Sequence, residues 1–245
     1  MDSFEALRPG GSGILPEETP PKFFARHLSA YYFVLPYIIN KDILELGFGD
    51  GYGSNFMKTY AKSVTAVDSL EKNVNLASNK YKKPGLEFIE MDGASLDFTD
   101  ETFDVVISFQ VIEHIQENRL EKYLEGIKRV LKRNGTAFIS TLNLTENKKP
   151  QQSYTQNPFH IKEFTFEEFY LLIRKVFSTS EIQGLFYGGR LRFYERLKKI
   201  GIFRFLPRPI NIVDRFYDNI TVNDFVWRKG DLDRCIDFMA ICGKI

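Results

Sequence analysis

The fold is decided by a short apolar run that leads into a glycine-rich loop, Asp42-Ile43-Leu44-Glu45-Leu46-Gly47-Phe48-Gly49-Asp50-Gly51-Tyr52-Gly53. The apolar run has the length of a buried strand. Glycine in the loop tolerates positive φ and lets backbone approach a ligand without an intervening Cβ atom. This stretch therefore predicts a strand, a tight loop and a helix, with a ligand held where the strand ends.

Short apolar runs and longer amphipathic runs alternate along the chain from this point. We predict strands at residues 42–46, 64–68, 86–91, 103–109, 136–142 and 236–242, and helices at residues 22–39, 54–61, 70–80, 117–132 and 165–176. Alternation of this kind indicates a mostly parallel sheet with helices on both faces. We therefore expect a Rossmann-like, doubly wound α/β fold with an added N-terminal helix and a C-terminal helical insertion.

The length of 245 residues suits one α/β domain with additions better than two independent domains. We expect a leader and cap helix at residues 1–40 and a cofactor-binding core at residues 41–185. A basic, aromatic insertion at residues 186–233 would then precede the final strand of the core at residues 234–245.

The bulk composition indicates no particular partner, because 33 Lys and Arg against 32 Asp and Glu leave a net charge of +1. No apolar run reaches the length of a membrane-spanning helix, and the first residues lack the pattern of a secretory signal. Cys235 and Cys242 flank one predicted strand, too far apart to form a disulfide. We therefore expect a cytoplasmic protein.

Two aspartates lie at the carboxyl ends of the next predicted strands, where Asp68 closes residues 64–68 and Asp92 follows residues 86–91. An acid after the second strand can accept hydrogen bonds from ribose hydroxyls. The dinucleotide fingerprint needs a third glycine where this chain has Tyr52 or Ser54. A lone aspartate after a strand is often only a turn residue. Together with the glycine loop, the two aspartates favour a cofactor that carries adenosine and an amino acid.

The motif series from Glu45 through Leu142 resembles the class I S-adenosylmethionine-dependent methyltransferases. The resemblance implies seven strands, the last of them antiparallel. It implies that the glycine loop holds the methionine part of S-adenosylmethionine, that Asp68 binds ribose, and that Asp92 and Gly93 bracket adenine. The predicted cofactor-binding set is Glu45, Gly47, Phe48, Gly49, Gly51, Asp68, Ser69, Asp92, Gly93 and Phe109.

A narrower resemblance, to bacterial methyltransferases linked to surface polysaccharide or glycolipid, covers residues 26–33, 51–54, 157–164 and 233–242. It favours a small-molecule or saccharide acceptor.

Histidine is the side chain best suited to remove a proton from a hydroxyl near neutral pH. His114 follows the fourth predicted strand and His160 lies in a loop after the fifth, so both are candidate catalytic residues. His27 belongs to the N-terminal helix that could cap the site. Ubiquinone-biosynthesis and small-RNA 3′-end methyltransferases carry Glu-x-x-Glu-His at the matching segment. Here Gln110 replaces the first carboxylate, so we assign no metal, and a metal bound near Glu113, His114 and His160 stays an open alternative.

The insertion is basic and aromatic between residues 186 and 210, where seven Lys and Arg residues stand against one acid, Glu195. This mixture suits peripheral contact with an anionic membrane. It also suits RNA, although the overall charge makes nucleic acid the less favoured partner. The simpler alternative is a lid whose aromatic side chains pack on the core while its cations face water.

The sequence therefore predicts methyl transfer from S-adenosylmethionine to a small-molecule or saccharide hydroxyl, which a lipid-linked glycan could carry. An RNA or quinone-precursor methyltransferase is the alternative enzyme, ahead of a nicotinamide oxidoreductase. A non-catalytic module that kept the cofactor site is the alternative of a different class. The oligomeric state is not predicted.

Overall fold

The computed structural model describes residues 14–147, 157–201, 205–207 and 210–244, and within them the chain forms one eight-stranded sheet. The strands are β1 (Asp42–Leu46), β2 (Ser63–Asp68), β3 (Leu86–Glu90), β4 (Phe103–Phe109), β5 (Leu131–Leu142), β6 (Thr179–Tyr187), β7 (Phe225–Arg228) and β8 (Asp237–Gly243). The helices are α1 (Pro21–Ile38), α2 (Tyr52–Met57), α3 (Glu71–Lys80), α4 (Leu120–Val130), α5 (Leu144–Asn147), α6 (Phe166–Val176), α7 (Gly189–Ile200) and α8 (Ile212–Tyr217).

The strand order is β3-β2-β1-β4-β5-β8-β6-β7. Neighbours from β3 through β5 are parallel, and β8 is antiparallel to both β5 and β6. The order reverses between β1 and β4, which is where α/β sheets of this kind bind ligands. The predicted Rossmann-like class is confirmed, and so is the antiparallel last strand.

The sheet has one strand more than the seven that the resemblance implies, and β6 and β7 are the two strands that the sequence pattern did not predict. β7 lies inside the predicted helical insertion and pairs antiparallel with the end of β6. Its four residues alternate between the core and solvent, with Phe225 buried and Val226 exposed, and Trp227 donates a hydrogen bond to the Ser29 carbonyl at 3.3 Å. This run is too short to give a clear alternating pattern in sequence.

Helices cover both faces of the sheet. On one face α4 and α6 pack through Leu124, Ile127, Phe169 and Ile173, and on the other α1 packs through residues that include Val34 and Ile38. The predicted helix at residues 117–132 is shorter than expected, since a 3-10 turn occupies Glu117–Arg119 and Leu131 already pairs with Phe103 of β4.

Other expectations have mixed outcomes. Cys235 and Cys242 are free, as predicted, and both are buried. Among the described residues no helix is long and apolar enough to cross a membrane. β6 continues to Tyr187, past the predicted boundary at residue 185, while residues 1–13 of the leader and Phe203, Arg204 and Arg208 of the insertion lie outside the described residues.

A two-point ion pair joins α1 to β8. Arg26 Nε donates to Asp237 Oδ2 at 2.8 Å, and Arg26 Nη2 donates to Asp237 Oδ1 at 2.5 Å. The Asp237 side chain is only 5% exposed, so the pair is largely withdrawn from water. It fixes the helix that forms one wall of the cavity described below.

Replacing Arg26 with alanine should lower the free energy of unfolding by about 3 kcal/mol, because a buried carboxylate loses its partner. Urea denaturation measures the change. The double variant Arg26→Ala/Asp237→Asn should recover much of the loss, since it leaves no buried charge. Lys175→Ala, which breaks the exposed Lys175–Glu121 pair, is the control and should change stability by less than about 0.5 kcal/mol. A similar loss for both single variants would contradict this account.

Candidate active site

The loop after β1 has the backbone conformation that its glycines predict. Gly47, Gly49 and Gly51 have φ of +69°, +59° and +82°. A Cβ atom at Gly47 would lie 2.5 Å from Val111 Cγ2, and one at Gly51 would lie 2.9 Å from the Ala77 Cβ atom. The loop therefore needs glycine both for its backbone angles and for its close packing.

Glu45 lies behind this loop and is 2% exposed. Tyr31 Oη donates a hydrogen bond to Glu45 Oε1 at 2.7 Å, and Ser54 Oγ donates to Glu45 Oε2. Burial raises the pKa of Glu45 to about 7, although the two hydroxyl donors favour the ionised form. The carboxylate at the end of β1 thus links α1 to the start of α2 through hydrogen bonds. Glu45 does not itself line the cavity described below, although Leu46 and Gly47 beside it do.

Asp68 ends β2 and faces the same loop. The Gly49 amide donates to Asp68 Oδ2 at 3.0 Å, and the Leu70 amide donates to Asp68 Oδ1 at 3.0 Å. A carboxylate oxygen can accept two hydrogen bonds, so each keeps capacity for a hydroxyl donor. Asp68 and Ser69 line the cavity, where ribose was predicted to bind.

Asp92 follows β3, where an adenine contact was predicted. Arg119 Nη2 donates to Asp92 Oδ2 at 2.5 Å, and the Ala94 amide donates to Asp92 Oδ1 at 2.9 Å. Burial opposes ionisation, yet these donors hold the pKa of Asp92 below its usual value. Gly93 lies against the Tyr123 ring, with only 3.2 Å between its ideal Cβ position and Tyr123 Cε2.

The carboxyl ends of β1, β2 and β4 enclose a cavity of about 560 Å³. This volume is in the range of small-molecule and cofactor sites. The predicted residues that line it are Gly47, Phe48, Gly49, Asp68, Ser69, Asp92, Gly93, Phe109, His114 and His160. Glu45 and Gly51 of the predicted set do not line it, whereas His27 of α1 does.

His114 belongs to a 3-10 turn, Ile112–His114, that follows β4. Its Nδ1 atom lies 2.8 Å from the Phe159 carbonyl oxygen. Because a carbonyl can only accept, Nδ1 carries the proton in the neutral ring and the lone pair is on Nε2. The hydrogen bond thus selects the tautomer in which Nε2 can receive a proton.

His160 is also held in one tautomer. The Phe159 amide donates to Asn157 Oδ1 at 3.0 Å, which turns Asn157 Nδ2 toward His160 Nε2 at 3.2 Å. The His160 Nε2 atom is then the acceptor, and Nδ1 donates to Glu163 Oε1 at 2.8 Å. The ring meets His114 edge to face, with 4.9 Å between ring centroids.

Glu113 is a buried carboxylate that the sequence analysis did not assign. Thr141 Oγ1 donates to Glu113 Oε2 at 3.0 Å, whereas Oε1 has no hydrogen-bond partner among the described residues. Burial raises the pKa of Glu113 to about 7, against the opposing effect of nearby His160. One ligand atom each from Glu113, His114 and His160 lie within 4.8 Å of one another. This spacing could hold a cation, although no metal was predicted.

Comparison with known proteins agrees with this geometry. A family model described as a methyltransferase domain matches residues 44–139, from β1 into β5. A Mycobacterium tuberculosis protein named "probable S-adenosylmethionine-dependent methyltransferase" is 35% identical over 171 residues, which are 69% of this chain and 61% of that protein. These similarities identify residues 44–139 as a methyltransferase domain of the kind found in S-adenosylmethionine-dependent methyltransferases. The chain spans about three fifths of the length of that relative.

Other methyltransferases are similar to this chain at lower sequence identity. A ubiquinone biosynthesis O-methyltransferase of Rickettsia conorii is 32% identical over 107 residues, 43% of this chain and 36% of that protein. A solved methyltransferase structure from Thermotoga maritima, titled as a possible histamine N-methyltransferase, has a TM-score of 0.61 at 15% identity. The aligned region covers 91% of this chain and 90% of the Thermotoga maritima chain. At that identity the likeness shows the fold alone.

The family cofactor is S-adenosylmethionine, and the residues present fit it. Gly47 and Gly49 line the cavity in a left-handed backbone conformation, and Asp68 lines it with carboxylate oxygens that can accept hydrogen bonds from ribose hydroxyls. The sequence analysis did not identify Tyr31, Ser54 and Arg119 as site residues. Tyr31 and Ser54 donate to Glu45 behind the loop, and Arg119 donates to Asp92. No local spacing marks these partners, since Arg119 is 27 residues from Asp92.

Gly47→Ala should weaken S-adenosylmethionine binding by more than about tenfold, because the added methyl group meets Val111 in a left-handed backbone. Calorimetric titration measures the affinity. Gly230→Ala is a matched control: its φ is +82°, but nothing lies within 4 Å of the added Cβ position. It should bind the cofactor as the unmodified protein does. Equal affinity in the Gly47 variant would show that the loop is not the cofactor cradle.

Glu45 should make stability depend on pH. Its ordinary pKa is 4.5 and its folded pKa is about 7, so the folded chain binds this proton more tightly. Its contribution is fully present below pH 4.5 and is lost as pH rises to 7, by about 3 kcal/mol in total. Urea denaturation measures the free energy of unfolding of the unmodified protein and of Glu45→Gln between pH 4.5 and 7. The difference between these two free energies should change by that amount across the window. Glu125→Gln, at an exposed position, is the control. A constant Glu45→Gln difference across the window would contradict the prediction.

Proposed function

We propose that this chain transfers the methyl group of S-adenosylmethionine to a hydroxyl oxygen of a small molecule or saccharide, including one carried on a lipid. The observation that carries the proposal is the tautomer of His114. The Phe159 carbonyl leaves the Nε2 atom as the proton acceptor in a cavity that the glycine loop and Asp68 also line. A hydroxyl is a poor nucleophile until a base takes its proton.

The bound cofactor would supply a sulfonium methyl group that is already strongly electrophilic. His114 Nε2 would take the hydroxyl proton as the acceptor oxygen receives the methyl group, and the cofactor's sulfur would leave as a neutral thioether. The glycine loop and Asp68 would fix the position of the cofactor, and alignment of donor and acceptor supplies much of the rate.

His160 suits a positioning role better than that of the base. Its Nε2 atom accepts from Asn157 and its Nδ1 atom donates to Glu163, so both ring nitrogens have partners. The ring packs against His114 and would limit the rotation of that side chain. A catalytic role for His160 stays a prediction. The hydrogen bonds around its ring support a positioning role.

A phenolic hydroxyl is a second candidate acceptor. Relatives of this chain include proteins named ubiquinone biosynthesis O-methyltransferase, and that name specifies methyl transfer to an oxygen atom. The match to the Rickettsia conorii protein covers only 43% of this chain, so it supports the chemistry more than the substrate. RNA and a non-catalytic role remain alternatives that the same assay can separate.

His114→Gln should lower kcat by about 100- to 10,000-fold, the usual contribution of a general base, while cofactor affinity stays within twofold or so of the unmodified value. The assay measures release of the demethylated cofactor with saccharides, small alcohols, phenols and RNA as acceptors. A general base must be unprotonated to act, so the fall of kcat/KM on the acidic side of the pH profile should disappear in this variant. His160→Gln should lower kcat less and keep the profile.

Each outcome separates the hypotheses. Full activity in His114→Gln would remove this side chain as the base. Turnover confined to RNA or to phenols would replace the saccharide acceptor. Tight cofactor binding without turnover on any acceptor class would favour the non-catalytic module.

A further inference from the structure

Among the residues that the structure describes, helix α7 packs on the rest of the protein through one of its faces. Leu191 is buried, and the Tyr194 ring stacks on Phe216 of α8 with 3.9 Å between centroids and 7° between planes. Glu195 lies on the same side, where it accepts from Lys22 of α1 at 2.6 Å and from Tyr217 at 2.5 Å. These contacts satisfy the inner face of the helix.

The opposite face is also apolar, which an ordinary surface helix is not. Phe193, Leu197 and Ile200 follow one another at intervals of four and three residues, so they form one stripe along the helix. Phe193 is 56% exposed and Ile200 is 65% exposed. We call this stripe, together with the cations beside it, the α7 outer face.

Exposed apolar side chains also follow α7 along the chain. Phe205 is 82% exposed and Ile210 is 60% exposed. With Phe193 and Ile200, they are four of the five most exposed large apolar side chains among the described residues. Single exposed apolar residues are common on proteins, but a concentration of this kind marks an interaction surface.

Three cations flank the stripe. Arg192, Arg196 and Lys199 are exposed, and none of the three has an ion pair with a described residue. The only acid of α7 is Glu195, which is turned inward to Lys22. The α7 outer face therefore combines hydrocarbon with uncompensated positive charge.

We propose that the α7 outer face docks on an anionic lipid bilayer. Apolar side chains would enter the region between headgroups and acyl chains, and the cations would remain among the lipid phosphates. Ile200 and Ile210 favour a bilayer over RNA, because aliphatic side chains cannot stack on bases as aromatic ones do.

A second copy of this chain is a poorer occupant of the same surface. A symmetric dimer brings the same patch of both subunits together. Arg192, Arg196 and Lys199 would then face their own copies with no acid on that face of the helix to compensate them. Charge complementarity thus favours lipid over self-association.

The surface is connected to the wall of the cavity. Lys22, which pairs with Glu195 of α7, is in the first turn of α1, and its Nζ atom lies 4.7 Å from the Tyr187 ring centroid. His27 and Tyr31 of the same helix line the cavity. Docking would therefore hold α1 close to the membrane, whatever the acceptor is.

Flotation of the full chain with vesicles tests the proposal. One set of vesicles contains phosphatidylcholine alone, and the other contains equal parts of phosphatidylcholine and phosphatidylglycerol. The protein should float with the anionic vesicles, bind the neutral ones weakly, and dissociate from the former as salt rises.

Two variants separate the two contributions. Arg192→Gln/Arg196→Gln/Lys199→Gln should weaken binding to anionic vesicles on the order of 100-fold. Phe193→Ser/Ile200→Ser should weaken it by more than about tenfold. The matched controls are Lys41→Gln/Lys72→Gln/Lys82→Gln and Tyr170→Ser/Leu171→Ser, which remove the same charges or a similar apolar area from other exposed positions. These controls should bind as the unmodified protein does.

Thermal denaturation and cofactor titration of each variant confirm that it is folded, so a loss of flotation can be assigned to the surface. Equal losses in the controls, or flotation that is unchanged in both α7 variants, would overturn the proposal. So would binding to RNA but not to vesicles, or a dimer that the α7 substitutions dissociate. Because the readout is independent of methyl transfer, it can fail or succeed separately from the proposed function.

Discussion

The site depends on one buried carboxylate behind the glycine loop. Glu45 receives hydroxyl donors from Tyr31 of α1 and Ser54 of α2, so three separate elements meet at a single acidic group. Unpaired burial of such a group would cost several kcal/mol, and the two donors offset that cost only in this arrangement. The position of the cap helix and the shape of the loop are therefore coupled through Glu45.

The rest of the site is arranged largely by backbone groups. Amides of Gly49 and Leu70 orient the Asp68 carboxylate, and the Phe159 carbonyl sets the tautomer of His114. Backbone donors and acceptors are fixed by the fold, so they hold side chains without the entropy cost of ordering a second flexible group. The loop that carries Phe159 thereby acts on a residue 45 positions earlier in the chain.

The sequence predicted the parts of the site that are encoded locally. The glycine loop, Asp68 and Asp92 follow strands at recognisable spacings, and each lies where the strand pattern indicates. The partners of these residues were not predictable in the same way. Tyr31 occupies an ordinary apolar position of α1. Glu113 is distinguished only by its buried carboxylate, which among the described residues accepts a hydrogen bond from Thr141 alone. β6 and β7 were both absent from the predicted strands, and the four residues of β7 are too few to show a periodicity.

The position of β8 has a consequence for folding during synthesis. β8 lies between β5 and β6, so these earlier strands cannot join the same sheet until the last strand is made. The Arg26–Asp237 contact, 211 residues apart in sequence, likewise forms only at that stage. Contacts of such long range slow folding and leave strand edges open in the meantime. The nascent chain would therefore contain the complete glycine loop before its sheet is complete. During this interval the open strand edges would be the surface that a chaperone protects.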